Sequence, residues 1–181
     1  MSLPLLFHMM SYDEPMKHPP SQQLLREIFN YDPETGVFTR LKATARCVKV
    51  GDIAGSIDVT TGYSLIRVAG RQYKAHHLAW IYVHGTPPLM WVDHINGIRH
   101  DNRIGNLRLA TPQQSNANRG SFAHNRSGTK GVQWNKRLSK WVARIHVNGR
   151  DVHLGLFADK ADAIKARQDM AAKHFGEFAK H

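Results

Sequence analysis

The stretch Trp91–Arg119, WVDHINGIRHDNRIGNLRLATPQQSNANR, decides how this chain is read. It places an Asp-His pair, well-spaced asparagines and a later amide cluster in one short span. Neighbouring side chains on a strand point to opposite faces. Asp93 and His94 therefore serve one site only where the strand bends or ends, and Asn96-Gly97 just after them predicts such an end. Cleaving a phosphodiester needs an activated water, a cation on the phosphate and a means of holding both. A histidine with a pKa of roughly 6.5 can take the proton of water at neutral pH. A hard cation such as Mg2+ takes one or two protein oxygens and leaves its other positions to water and phosphate. Asp93 and His94 offer a ligand and a base side by side. The bland alternative is a polar connection whose asparagines hydrogen-bond their own turns.

Composition points the same way. The chain has 181 residues, 25 Lys and Arg against 14 Asp and Glu, and a net charge of +11. Such an excess favours a polyanionic partner, because Lys and Arg release condensed counterions when they neutralise phosphates. A hydrophobic content of 41% supports one medium domain or two small ones. The single cysteine, Cys47, excludes an intramolecular disulfide and a zinc ribbon built on paired CxxC motifs. MSLPLLFHMM lacks a basic leader and a small-residue cleavage site, and no long apolar span appears. A cytoplasmic protein with no membrane partner is the expectation.

Outward from the central stretch, residues 1–20 read as an irregular arm carrying Pro4, Pro15, Pro19 and Pro20. Residues 21–75 read as a small α/β scaffold. Ser21 is a candidate N-cap ahead of the stripe Leu24, Leu25, Ile28 and Phe29, and YDPETG (31–36) is a turn. VFTRL (37–41), VGDIAGSI (50–57), YSLIRV (63–68) and RQYKA (71–75) are strand-like, with Arg67, Arg71 and Lys74 as candidate phosphate contacts. Residues 76–84 turn helical and stop at Gly85 and Pro87-Pro88. Beyond the Ser/Gly/Asn-rich loop 121–131, Trp141, Ala143, Ile145 and Val147 alternate along one strand. Asn148-Gly149 predicts a type I′ hairpin into RDVHLGLF (150–157), and Asp159 caps a helix running to about Phe175, with Gly176 as its stop. From Arg119 onward, 13 Lys and Arg face 5 Asp and Glu, so eight of the eleven net charges lie in the tail.

VDHINGIRHDNRIGNLRLAT resembles the HNH endonuclease motif in the version common among phage and mobile-element homing endonucleases. The resemblance implies two short strands and a helix around one divalent metal, Mg2+ or Mn2+. It makes His94 the general base, Asp93 a metal ligand, and Asn106 the residue that fixes the loop and orients His94. Upstream, AHHLAW is similar to the family's AHRLAW, with His76 in place of the family His and His77 in place of the Arg. Nine positions after Asn106 the family has Asn or His; here stands Ser115, followed by Asn116, with Asn118 one helical step further. Directions differ by about 100° between neighbours on a helix. Asn116 is the expected third ligand if the preceding turn shifts by one residue, with Ser115 as the alternative.

The tail from Ser127 onward resembles the APETALA2/ethylene-response-factor DNA-binding domain of plants, through KGV (130–132), KWVARI (140–145), HLGLF (153–157) and an Ala-rich helix. The resemblance implies a three-stranded sheet laid in the major groove. Arg126, Lys130, Trp134, Lys136, Arg137, Lys140, Arg144, His146 and Arg150 are then the candidate DNA contacts. Trp141, by its alternation, is expected in the core. Arg144, His146 and His153 stand where that family has Glu, Arg and Trp, so its target sequence does not carry over.

The sequence thus predicts an α+β chain: an N-terminal small β region, a central ββα-metal module (76–120), and a C-terminal three-stranded antiparallel sheet packed on one helix (121–181). Its expected activity is metal-dependent hydrolysis of double-stranded DNA by a homing-type endonuclease, acting as a monomer or homodimer in a phage-infected bacterial cell. The alternative is a catalytically dead HNH fold that binds DNA as a regulator.

Overall fold

Ser21 begins the first helix as expected: its hydroxyl accepts from the Leu24 N–H at 3.1 Å, satisfying a donor that helix geometry leaves orphaned. The computed structural model describes residues 18–43, 45–120 and 125–180, so nearly all of the proline-containing arm lies outside the described residues. Helix α1 (Gln22–Ile28) gives way at Phe29 to strand β1 (Phe29–Tyr31), which pairs antiparallel with β2 (Phe38–Arg40). In the connecting turn, the Asp32 carboxylate accepts from Glu34 N–H at 2.9 Å and Thr35 Oγ1–H at 2.7 Å. Gly36 closes it at φ +72°, with its α-carbon pressed against the backbone of Asn102 and Arg103, so a side chain there collides with the loop of the central module.

A second sheet has the order β3 (Ser56–Ile57), β4 (Ser64–Val68), β5 (Arg71–Lys74). Ala69 and Gly70, both at positive φ, make the tight β4–β5 turn. The strand expected over 50–57 is reduced to its last two residues plus one bridge from Ile53 to Thr39. The reason is local: Gly51 and Gly55 sit at φ +90° and +95°, and a Cβ at Gly55 would lie 2.6 Å from the Leu65 carbonyl oxygen. Helix α2 (Ala75–His84) follows directly and ends on Gly85 at φ +80°.

Next come β6 (Trp91–His94), a 3-10 turn at Ile104–Asn106, β7 (Leu107–Ala110) and α3 (Pro112–Asn118). Strands β6 and β7 pair antiparallel with His94 opposite Leu107. Thr111 and Gln114 form a reciprocal capping box that starts α3 with Pro112 in its first turn. One apolar cluster joins α1, β1, β2, β4, α2, β6 and β7 through Leu25, Phe29, Phe38, Ile66, Leu78, Ile81, Val92 and Leu107. Burial of these side chains ties the N-terminal elements to the strand that carries Asp93 and His94.

In the tail, β8 (Val132–Asn135), β9 (Lys140–Val147) and β10 (Arg150–Phe157) form a sheet of order β10-β9-β8, with α4 (Lys160–Phe175) packed on one face. Asp159 caps α4 by accepting from Ala161 N–H at 2.6 Å, and Asn148-Gly149, both at positive φ, turn the hairpin. The predicted α+β class, with a C-terminal three-stranded antiparallel sheet on one helix, is the class found. Among the described residues no helix is long and apolar enough to cross a membrane.

Two substitutions test the union of scaffold and central loop. Tyr31 Oη–H donates to the Asn102 carbonyl at 2.7 Å, both buried, so Tyr31→Phe should cost about 1–3 kcal/mol by leaving that carbonyl unpaired. Gly36→Ala should cost at least as much, since its φ alone is worth about 1–3 kcal/mol of strain and its Cβ has no room. Urea denaturation reads both; unchanged midpoints would mean that the turn does not brace the loop.

Candidate active site

Strand β6 ends at His94 because Gly97, at φ +75°, reverses the chain and donates its N–H to the His94 carbonyl at 2.8 Å. Asp93 and His94 are both nearly buried at this strand end. Three side chains from two elements converge on the Asp93 carboxylate. Ser115 Oγ–H from α3 donates to its Oδ1 at 3.0 Å, and Asn118 Nδ2–H donates to its Oδ2 at 2.9 Å and to the His94 carbonyl at 2.7 Å. From β7, Arg108 Nε–H approaches Oδ2 at 3.3 Å. Positions 115 and 118 are one helical step apart, so one face of α3 presents both side chains to the carboxylate.

His94 is held on its other side by Asn102. The Asn102 Nδ2–H donates to the His100 carbonyl at 3.0 Å, which turns its Oδ1 toward His94 Nε2 at 3.4 Å. In this arrangement Nε2 carries the proton and Nδ1 keeps its lone pair, the form a base requires. Burial lowers the His94 pKa, against the opposing pull of Asn102 and Asp93, so the ring is neutral at neutral pH. His76 of α2 lies behind it with ring centroids 4.8 Å apart; it is fully buried, neither ring nitrogen has a hydrogen-bond partner, and burial pushes its pKa well down.

Asn106 braces the loop between the two strands. Its Oδ1 accepts from Asn96 N–H at 3.0 Å, and its Nδ2 donates to Asn96 Oδ1 at 3.1 Å and to the Asp101 carbonyl at 2.9 Å. The side chain that hydrogen-bonds His94 is Asn102, eight residues after it in the DNR triplet. That asparagine and Arg108 were not anticipated in these places. Their spacing in the sequence resembles any polar turn, and only the return of β7 along β6 brings them to the site.

The two candidate third ligands separate. Ser115 points at Asp93, whereas Asn116 is exposed and faces a cleft beside Gln113 and Lys130. Asp93 Oδ1 and Ser115 Oγ, 3.0 Å apart, suit adjacent corners of a small octahedral ion, whose ligands at about 2.0–2.1 Å stand roughly 2.9 Å from each other. A hard divalent cation fits this oxygen pair. Among the described residues no cluster of three or more His, Cys, Asp and Glu is placed to hold a metal.

On the tail sheet, Lys140, Arg144 and His146 share the face opposite α4, with His146 Nδ1 2.8 Å from Asp151 Oδ1 across the strands. Lys136 and Arg137 are exposed in the β8–β9 turn, Arg126 is exposed ahead of β8, and Lys130 is half-buried there. Trp134, expected on the outer face, is instead paired with Trp141 and shares its α4-side face, although it remains 45% exposed. Arg150 likewise pairs with Val147, on that same side at the hairpin end. The period of two dictates both corrections: Val132↔Ala143 fixes the register, and Trp134 lies two residues on. Trp141 itself packs against the core as expected.

A strand, a braced loop, a returning strand and a capped helix, with Asp-His at the first strand's end, make a ββα unit. Comparison with known proteins agrees: a family profile described as HNH endonuclease matches residues 73–117. The chain is 33% identical over 82 residues to Protein 3.8 of Escherichia phage T7, an alignment covering 43% of this chain and 68% of that protein. It is 29% identical over 120 residues to Uncharacterized HNH endonuclease L560 of Acanthamoeba polyphaga mimivirus, covering 66% of this chain and 62% of the relative. No solved structure matches the chain. Residues 73–117 thus carry an HNH endonuclease domain, and the chain spans 68% and 62% of the length of these two relatives.

Two outcomes follow from the packing alone. Asn106→Ala strips partners from Asn96 N–H and the Asp101 carbonyl and should cost about 1–3 kcal/mol in denaturant unfolding; no loss would show that the loop holds without it. His77, next to His76 on α2, has its pKa lowered to about 4, chiefly by burial and then by Lys74. A histidine depressed in the folded state leaves stability intact above its unfolded pKa of about 6.5 and erodes it as pH falls below that. The thermal midpoint should therefore drop between pH 6.5 and about 4, and less steeply in His77→Leu. Parallel curves for parent and variant would contradict the burial assignment.

Proposed function

We propose that the protein is a metal-dependent DNA endonuclease of homing type, hydrolysing phosphodiester bonds in double-stranded DNA. The observation that carries this is the joining of Asp93, His94 and Ser115 at one strand end, within the segment the HNH profile matches. His94 Nδ1 takes a proton from the attacking water, while Asn102 holds the ring by its other nitrogen. Asp93 and Ser115 would hold one Mg2+ or Mn2+. When bound, that ion supplies charge for the scissile phosphate and the leaving oxygen. Asn118 steadies Asp93 and the His94 carbonyl together, so base and ligand keep one mutual geometry.

The tail supplies most of the positive charge. Lys140, Arg144 and His146 on its open face, with Lys136 and Arg137 in the adjoining turn, support docking on duplex DNA in the manner of an APETALA2-like sheet. The phage and giant-virus origin of the relatives supports a mobile-element or phage setting. A second function, a catalytically dead HNH fold that binds DNA as a regulator, is favoured by one feature: Arg108 brings a fixed positive charge to Asp93, where a metal would sit.

Supercoiled plasmid with Mg2+ or Mn2+, against the same mixture with chelator, separates the two. The expected result is nicked or linear DNA only with metal, and a loss of about 10^2–10^4-fold in rate for His94→Ala. Ser115→Ala should raise the metal concentration needed for half-maximal cutting, and Asn116→Ala should not. Equal cutting by His94→Ala would remove the base assignment; no cutting by the parent, with DNA binding intact, would favour the regulator.

A further inference from the structure

Helix α3 has a second working face. Ser115 and Asn118 turn toward Asp93, whereas Gln113, Asn116 and Ala117 turn away into a cleft of about 320 Å3. Its opposite wall is built by Lys130 from the segment before β8 and by Arg167 and Phe175 of α4. The cleft therefore lies at the seam between the nuclease module and the tail sheet.

Its lining carries the two cations Lys130 and Arg167, with His146, whose Nδ1 lies 2.8 Å from Asp151 Oδ1, at its edge. Arg167 is only 7% exposed, and its Nε–H is fully buried with no hydrogen-bond partner. No carboxylate pairs with Arg167 or Lys130 among the described residues. Lys130 Nζ donates to the Asn116 carbonyl, and to the Arg119 carbonyl at 3.2 Å, which holds the ammonium at the end of α3 beside Arg167. Burial first, then the neighbouring Arg167 and Arg119, push the Lys130 pKa down to about 8. Buried guanidinium groups are almost always paired, because an unpaired charge loses its hydration with no return. A tetrahedral oxyanion matches a guanidinium edge, and the neighbouring amides of Gln113 and Asn116 can donate to it as well.

We propose that this cleft seats a phosphate group on Arg167 and Lys130, at a site separate from the metal-and-histidine centre across α3. The phosphate is carried either by the DNA backbone or by a free phosphate ion. The backbone source rests on the DNA-cutting function proposed above. It would anchor the duplex about one helix diameter, roughly 10 Å, from Asp93, and so set where the tail's hold on DNA places the scissile bond.

Two measurements on the full chain distinguish the sources. In the first, thermal unfolding is followed in inorganic phosphate and in chloride at equal ionic strength, without DNA. Phosphate should raise the midpoint of the parent, and neither Arg167→Met nor Lys130→Gln should respond. In phosphate-free buffer Arg167→Met should be at least as stable as the parent, since it removes an unpaired buried charge. In the second, binding to a short duplex is titrated with salt in chelator. A backbone phosphate in the cleft predicts that Arg167→Met lowers the slope of log K against log salt by about 0.9. A phosphate-specific shift with an unchanged slope supports the site and assigns it to free phosphate. No phosphate-specific shift together with an unchanged slope overturns the proposal. A parent that neither binds nor cuts DNA defeats the endonuclease function alone, because the first measurement contains no DNA. Should Arg167→Met fail to fold, Lys130→Gln carries both measurements.

Discussion

One carboxylate organises the nuclease module. Asp93 receives a hydroxyl and an amide from α3 and a guanidinium from β7, and it is nearly buried while doing so. A buried charge persists only when donors surround it. That requirement fixes α3 against the end of β6, and with it the place of Ser115 and Asn118. The same convergence makes the site chemically usable: a hard oxygen pair stands next to a histidine that burial keeps neutral.

Support for this centre comes from parts of the chain distant in sequence. From the N-terminal side, Tyr31 bonds the Asn102 carbonyl, Ile104 N–H reaches the Pro33 carbonyl at 3.3 Å, and Gly36 lets the turn lie against Asn102 and Arg103. From the C-terminal side, Arg108 is gripped twice. Its Nη1–H donates to the Glu177 carbonyl at 3.1 Å, and its guanidinium lies 3.7 Å from the Phe178 ring centroid. Lys180 Nζ reaches the Asn96 carbonyl at 3.2 Å. The end of the tail is thus in contact with β7 and with the loop that follows β6.

Much of this was legible from local pattern. Ser21, Gly85, Asp159 and Asn148-Gly149 announce their caps and turns because each acts on backbone groups within a few residues. The alternation of Trp141, Ala143, Ile145 and Val147 gave the buried face of β9 for the same reason. The run over 50–57 misled, because two glycines at positive φ break the extended backbone while the apolar pattern survives. Trp134 misled because its face is set by pairing across the sheet, which its own strand does not encode.

The sequence by itself determined the HNH character of the central stretch, the Asp-His pair at a strand end, and a basic tail built as a sheet on a helix. Tertiary structure alone decided that Ser115 meets Asp93 while Asn116 faces a cleft, that Asn102 holds His94, and that Arg167 and Lys130 share an unpaired charge. The physical reason is one of range. Caps, turns and alternation are written in contacts between near neighbours, whereas the rotation of a seven-residue helix about its axis is set by what the rest of the chain packs against it.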